Sequence, residues 1–169
     1  MTQLSPNFTL EEAITSPTAL RNGIENIPSV EQLAHMRTSA AGMEQVRAIL
    51  GKPIHVNSWL RVEALEKILT AKDFQRWCAQ HGHNPDSDWP LYFVRKGHPK
   101  GYAVDFICPE FGTPAEVAKK IAASALKFDQ LIMEGTWVHV SFDPQMRQQV
   151  MMATFKDGVP TYSNAEQPQ

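Results

Sequence analysis

A chain of 169 residues favours one domain over two, and at that size it buries roughly 68–70% of the surface its unfolded form exposes. Hydrophobic residues make up 43% and charged residues 20%, with a net charge of −2, which excludes wholesale disorder and leaves no basic footprint for nucleic acid or an anionic membrane. No apolar run reaches the ~18 residues of a membrane span, and the opening Met1-Thr2-Gln3-Leu4-Ser5-Pro6-Asn7 lacks the basic and apolar regions of a signal peptide. The expectation is a soluble protein made in the cytosol, with no membrane and no nucleic-acid partner. Two cysteines, Cys78 and Cys108, make no disulfide framework and no CxxC pair, and read as buried free thiols.

The first fifty residues read as helical. Thr9-Leu10-Glu11-Glu12 has capping-box spacing, flanked by Phe8 and Ala13 as a hydrophobic staple. Ser16-Pro17 opens a short helix that Gly23 stops. Ser29 and Gln32 form a second box, and Val30, Leu33, Met36, Ala40, Met43, Val46 and Leu50 recur at helical spacing until Gly51 and Pro53. Residues 54–58 alternate as a strand does. Helical spacing returns from Val62 to about Gln80, Gly82 closes it, and 83–90 is a polar, turn-rich loop. Residues 102–107 read as a strand, and Thr113-Pro114-Ala115-Glu116 opens another helix. Strands follow at 128–133, 137–142 and 149–155; Lys156-Asp157-Gly158 is a hairpin turn, 159–162 pairs back, and 164–169 is a frayed tail beyond a single domain of 1–163. Helices first and strands late make an α+β class with helices packed on a mainly antiparallel sheet.

His98-Pro99-Lys100-Gly101-Tyr102-Ala103-Val104-Asp105 places an imidazole seven residues before a carboxylate, with Gly101 to turn the chain between them. Asp105 sits among Val104, Phe106 and Ile107, so an inward carboxylate needs a counter-charge or a metal. Trp137-Val138-His139-Val140-Ser141-Phe142 brings a second imidazole within a strand. Two imidazoles and one carboxylate with a fourth position open would make a catalytic zinc site. The same residues can also be read as core or surface histidines and an edge gatekeeper aspartate.

His98-xx-Gly101-x-Ala103-x-Asp105 followed by Trp137-Val138-His139-Val140-Ser141 resembles the zinc D-Ala-D-Ala carboxypeptidases and phage-type peptidases of the M15 family, with motifs SxHxxGxAxD and WxH. The likeness extends along most of the chain. Leu4-Ser5-Pro6-Asn7-Phe8-Thr9-Leu10-Glu11-Glu12 is similar to the family's LSxxFTLxE segment. Gly51-Lys52-Pro53-Ile54-His55-Val56-Asn57-Ser58-Trp59-Leu60-Arg61 is similar to GKPIxVxSGYR, and Phe128-Asp129-Gln130-Leu131-Ile132-Met133-Glu134 to xDQLIxE.

The resemblance implies a Hedgehog/DD-peptidase-like fold and one Zn2+ per chain held by His98, Asp105 and His139. It implies that Arg61 holds a substrate carboxylate, a task suited to a planar, always-charged fork. Glu134 would be the general base. In a continuous strand Glu134 and His139 would point to opposite faces, so Gly135-Thr136 must change the phase. Some relatives carry the acid three residues before the histidine, where Thr136 stands. The implied substrate is a peptidoglycan stem peptide, in a phage or prophage setting where other virion proteins are partners.

Three departures stand out. Lys96 replaces the motif's Ser, Trp59-Leu60 replaces Gly-Tyr and would alter a wall of the cleft, and the segment between Arg61 and His98 is longer than usual. His35, His55, His81 and His83 read as structural or solvated. Two alternatives accompany the zinc peptidase. One is a cytosolic dipeptidase on D-Ala-D-Ala-like molecules; the other is a non-catalytic virion or cell-wall-binding module that keeps the fold.

Overall fold

The computed structural model describes residues 1–164. A short antiparallel pair, β1 (Gln3–Ser5) and β2 (Phe8–Thr9), precedes α1 (Leu10–Ile14), capped by Thr9 Oγ1 accepting from the Glu12 N–H at 3.2 Å. This small sheet was not evident in the sequence, since strands of 3 and 2 residues carry no alternation to read. Phe8 and Ala13 are both buried. α2 (Pro17–Arg21) starts behind the Ser16 cap, and α3 (Val30–Leu50) carries the full Ser29/Gln32 capping box and ends at left-handed Gly51. β3 (His55–Ser58) follows.

The single helix expected from Val62 to Gln80 is two, α4 (Glu63–Leu69) and α5 (Ala71–His81). The break is at Thr70, with φ −111° and ψ 13°, whose hydroxyl donates to the Glu66 carbonyl at 2.8 Å. A side chain that bonds the backbone locally competes with the helical ladder. α5 turns Phe74 and Cys78 into a second, small core with Tyr92, Trp77 and Trp89. The loop expected over 83–90 gives way at its end to α6 (Trp89–Phe93), where Pro90 occupies the first turn and needs no N–H partner.

A 3-10 turn (His98–Lys100) leads into β4 (Ala103–Ile107), then α7 (Pro114–Ala122), β5 (Gln130–Glu134), β6 (Trp137–Ser141), β7 (Gln149–Lys156) and β8 (Val159–Asn164). Asp157 and Gly158, at φ 53° and 78°, supply the two positive angles of the β7–β8 hairpin turn. Asn164, expected to open the tail, is the last residue of β8, and 165–169 lie outside the described residues. The class is α+β: the described residues form seven helices, one mixed six-stranded sheet in the order β3-β4-β6-β5-β7-β8, and the small β1–β2 pair. Every neighbouring pair in the large sheet is antiparallel except β5–β7. None of the described helices is long and apolar enough to cross a membrane.

Side chains directly opposite in a ladder share a face. Val104 pairs with Val140, Phe106 with Val138 and Leu131 with Val140. These residues pack in one core with Met36, Met43 and Val46 of α3 and Val117 and Ile121 of α7. The alternate positions, Asp105, His139, Ile132 and Glu134, fall on the other face.

Gly42 marks how closely α3 meets the β6 end: a Cβ there would collide with the ring of buried Phe142. Alanine normally gains about 1 kcal/mol over glycine in a helix, but overpacking costs about 1–3 kcal/mol. Gly42→Ala is therefore expected to lower stability, which denaturant unfolding would read; a stabilised variant would show that Phe142 moves aside freely.

Candidate metal centre

His98, Asp105 and His139 come from three different structural settings. His98 opens the 3-10 turn, Asp105 is the middle residue of β4, and His139 is its cross-strand partner on β6. Gly101 makes the turn possible, with φ +84° and so little room that a Cβ would meet the Gln32 carbonyl oxygen and Met36 Cγ, each at 2.9 Å. The turn is clamped to α3 by polar contacts. Ser39 Oγ and Trp59 Nε1 donate to the Gly101 carbonyl at 2.8 and 3.2 Å, and Gln32 Nε2 donates to the Pro99 carbonyl at 2.7 Å. His35 Nδ1 lies 2.9 Å from the Lys100 carbonyl while its ring stacks on Tyr102. His35, read from the sequence as structural or solvated, thus braces the 3-10 turn that carries His98.

The three side chains converge, with one potential ligand atom from each lying within 4.8 Å of the others, and the group could hold a metal ion. His98 Nδ1 donates to the Trp59 carbonyl at 2.7 Å, which leaves Nε2 facing Asp105 Oδ1 at 3.1 Å. A carbonyl only accepts, so the proton of a neutral His98 ring is on Nδ1 and its Nε2 lone pair points at a carboxylate oxygen. Burial, aided by the Arg61 charge, holds His98 below the ordinary histidine range and so favours that neutral ring. Two lone pairs face each other across 3.1 Å, an arrangement that a shared cation satisfies. His139 Nδ1 lies 2.8 Å from the same Oδ1. Burial pulls its pKa down, but the hydrogen bond and charge of Asp105 outweigh this and leave it raised. Burial likewise opposes ionisation of Asp105, yet the Arg61 charge and the hydrogen bond from His139 hold it well below the usual carboxylate range.

Arg61 reaches this group. It pairs through Nη2 with Asp105 Oδ2, donates from Nε to Ser58 Oγ at 2.8 Å, and lies 3.8 Å from Glu66 Oε2 through Nη1. Glu66 is almost wholly buried and its Oε2 has no hydrogen-bond partner among the described residues, so Arg61 is its nearby counter-charge. Glu134 and His139 share a face because β5 and β6 are joined by the two-residue turn Gly135-Thr136, with Gly135 at φ +66°. Ile132 opposes His139 and Glu134 opposes Trp137, so the turn supplies the change of phase that the sequence required. Trp137 Nε1 donates to Glu134 Oε2 at 2.9 Å and the Tyr162 hydroxyl approaches Oε1 at 3.4 Å.

Of the three departures, one differs from its expectation. Trp59 and Leu60 are 1% exposed and belong to the core, so they do not wall a cleft. Lys96 pairs with Asp73 at 3.1 Å and lies 4.0 Å over the Tyr92 ring, while Tyr92 hydrogen-bonds the same carboxylate. It thereby ties α5 and α6 to the turn that precedes β4. Arg76 of α5 donates to the Pro160 carbonyl at 3.3 Å and Thr161 Oγ1 at 2.6 Å, joining α5 to β8. His83 stacks on Trp77 and pairs with Asp88 at 3.0 Å, so it is not a solvated side chain. Sequence reading missed Asn26, Glu66 and Tyr162; none sits in a motif, and only the tertiary contacts bring them to Arg61 and Glu134. No protein-family model matches the chain, and a comparison with curated proteins finds no match.

Proposed function

We propose that this protein is a zinc-dependent peptidase that cleaves peptidoglycan stem peptides, with a Hedgehog/DD-peptidase-like fold. The observation that supports this most is the convergence of His98, Asp105, His139, Arg61 and Glu134 on one side of the sheet, from five separate segments of the chain. His98, Asp105 and His139 would hold the zinc. Bound there, zinc would polarise the scissile carbonyl and acidify the attacking water. Glu134 is the group that accepts the water's proton and passes it to the leaving amine. Trp137 and Tyr162 keep its carboxylate turned in one direction. Arg61 keeps unused N–H donors after its bonds to Ser58 and Asp105, and those donors would take a substrate carboxylate. Incubating the zinc-loaded protein with purified peptidoglycan fragments and reading the products by mass spectrometry tests the proposal. Loss of a terminal residue or a split cross-link is expected; intact fragments would leave the non-catalytic, wall-binding reading.

Arg61→Lys keeps the charge but not the fork. A lysine ammonium cannot serve Ser58, Asp105 and Glu66 from one planar group, so turnover should fall. Unlike a solvated arginine, this one is only 17% exposed and sits in a network. A stability loss of about 1–2 kcal/mol should therefore accompany the kinetic defect, measured by denaturant unfolding. Unchanged turnover of a peptide with a free carboxylate would remove Arg61 from recognition.

A further inference from the structure

Arg61 is held by its backbone as firmly as by its side chain. The residues before and after it are both gripped by one side chain, that of Asn26, in the connection between α2 and α3. Asn26 Nδ2 donates to the Leu60 carbonyl at 2.8 Å and to the Ile14 carbonyl at 2.9 Å, while Asn26 Oδ1 accepts from the Val62 N–H at 3.0 Å. Asn26 is 7% exposed and uses both ends of its amide, and no other residue type of its length supplies a donor and an acceptor together. The segment it grips has no regular structure, lying between the end of β3 and the start of α4.

From this clamp we infer that Asn26 is a positioning residue for carboxylate recognition, acting through Arg61; this rests on the role of Arg61 proposed above. Guanidinium–carboxylate recognition depends on direction, because the donors form a rigid fork. An arginine on an irregular segment has a mobile Cα unless both flanking peptides are fixed, and a shift of about 1 Å at a binding group is enough to cost much of its effect. Asn26 fixes both peptides and ties them to α1 through Ile14. The Ser58 hydroxyl fixes Nε of the same side chain at 2.8 Å. Arg61 is thus set before substrate arrives, so ordering it costs nothing at binding.

The test uses the full zinc-loaded chain and a matched pair of probes, a D-Ala-D-Ala-ended peptide with a free carboxylate and the same peptide as its C-terminal amide. In the native protein KM for the acid should be the lower. Asn26→Ala should raise KM for the acid roughly tenfold, the worth of one weakened charge-assisted hydrogen bond, and leave KM for the amide nearly unchanged, closing the gap between them. A merely structural role would lower the active fraction for both probes alike and leave their ratio intact, which would overturn the inference. Should the alanine variant fail to fold, Asn26→Asp keeps an oxygen in reach of the Val62 N–H, loses the donation to Leu60 and Ile14, and permits the same comparison. An independent readout is the Arg61 Nε–H resonance: slow to exchange with solvent in the native protein, it should exchange faster in the Asn26 variants. Unchanged exchange would also count against the clamp. If the native protein hydrolyses neither probe, the peptidase reading fails, while the resonance still decides whether Asn26 holds Arg61.

Discussion

Glu134→Gln is expected to leave folding and zinc content intact while hydrolysis falls by roughly 10²–10⁴-fold, the usual worth of acid–base assistance. The substitution is nearly isosteric, and the Trp137 indole, which now donates to Oε2 at 2.9 Å, can donate to the amide oxygen instead. The two-residue turn through Gly135-Thr136 and the pairing of Glu134 with Trp137 do not depend on the charge. What the variant loses is the capacity to take a proton, because an amide is not a base at neutral pH. Metal analysis alongside kcat on a stem peptide separates the two effects. Full activity in the glutamine variant would move the base elsewhere. Loss of zinc would mean that Glu134 supports the metal site.

Asp105→Ala should abolish stoichiometric zinc binding and destabilise the fold. Its carboxylate is the common partner of His98, His139 and Arg61, at 3.1 Å, 2.8 Å and in a direct ion pair. Two imidazoles alone leave the donor set below the three protein ligands of a catalytic zinc site. Breaking a buried pair by deleting one partner costs about 3–5 kcal/mol, and Glu66 together with partial solvent access for Arg61 brings the loss toward the lower end. In the metal-free protein the pH dependence follows from the same contacts. Asp105 is held below its ordinary value, so its contribution is present above the unfolded value of ~3.9 and is lost as pH falls. His139 is raised, so its contribution is present below ~6.5 and is lost as pH climbs through its folded value. Zinc must displace the His139 proton, and its affinity should therefore be weaker near pH ~5.5 than near pH ~7.5. Competition titration with a chelator checks this, and an alanine variant that still binds one zinc would make the aspartate structural.

Much of the architecture is decided locally and could be read from residue order. The Ser29/Gln32 and Thr113/Glu116 boxes are satisfied by atoms three residues apart, so the starts of α3 and α7 need nothing from the rest of the chain. The β7–β8 turn is likewise fixed by Asp157-Gly158, and His98, Asp105 and His139, which could hold a metal ion, stand in two short motifs whose residue types limit the chemistry they can do. Where local rules compete, the sequence was silent. Helical periodicity runs through Thr70, and only the packing of α5 into a separate aromatic core shows that the helix breaks there. Trp59-Leu60 stood in a motif position that pointed to a cleft, and burial in the core decided otherwise. The phase between Glu134 and His139 depended on whether Gly135-Thr136 bulges a strand or turns it, which only the β5–β6 register settles. Asn26 and Glu66 were out of reach for a plainer reason. Asn26 bonds Leu60 at a separation of 34 residues, and no periodicity, cap or motif encodes which distant peptide a polar side chain will meet. Local hydrogen bonds set the elements; long-range burial, which must leave no polar group without a partner, set the site.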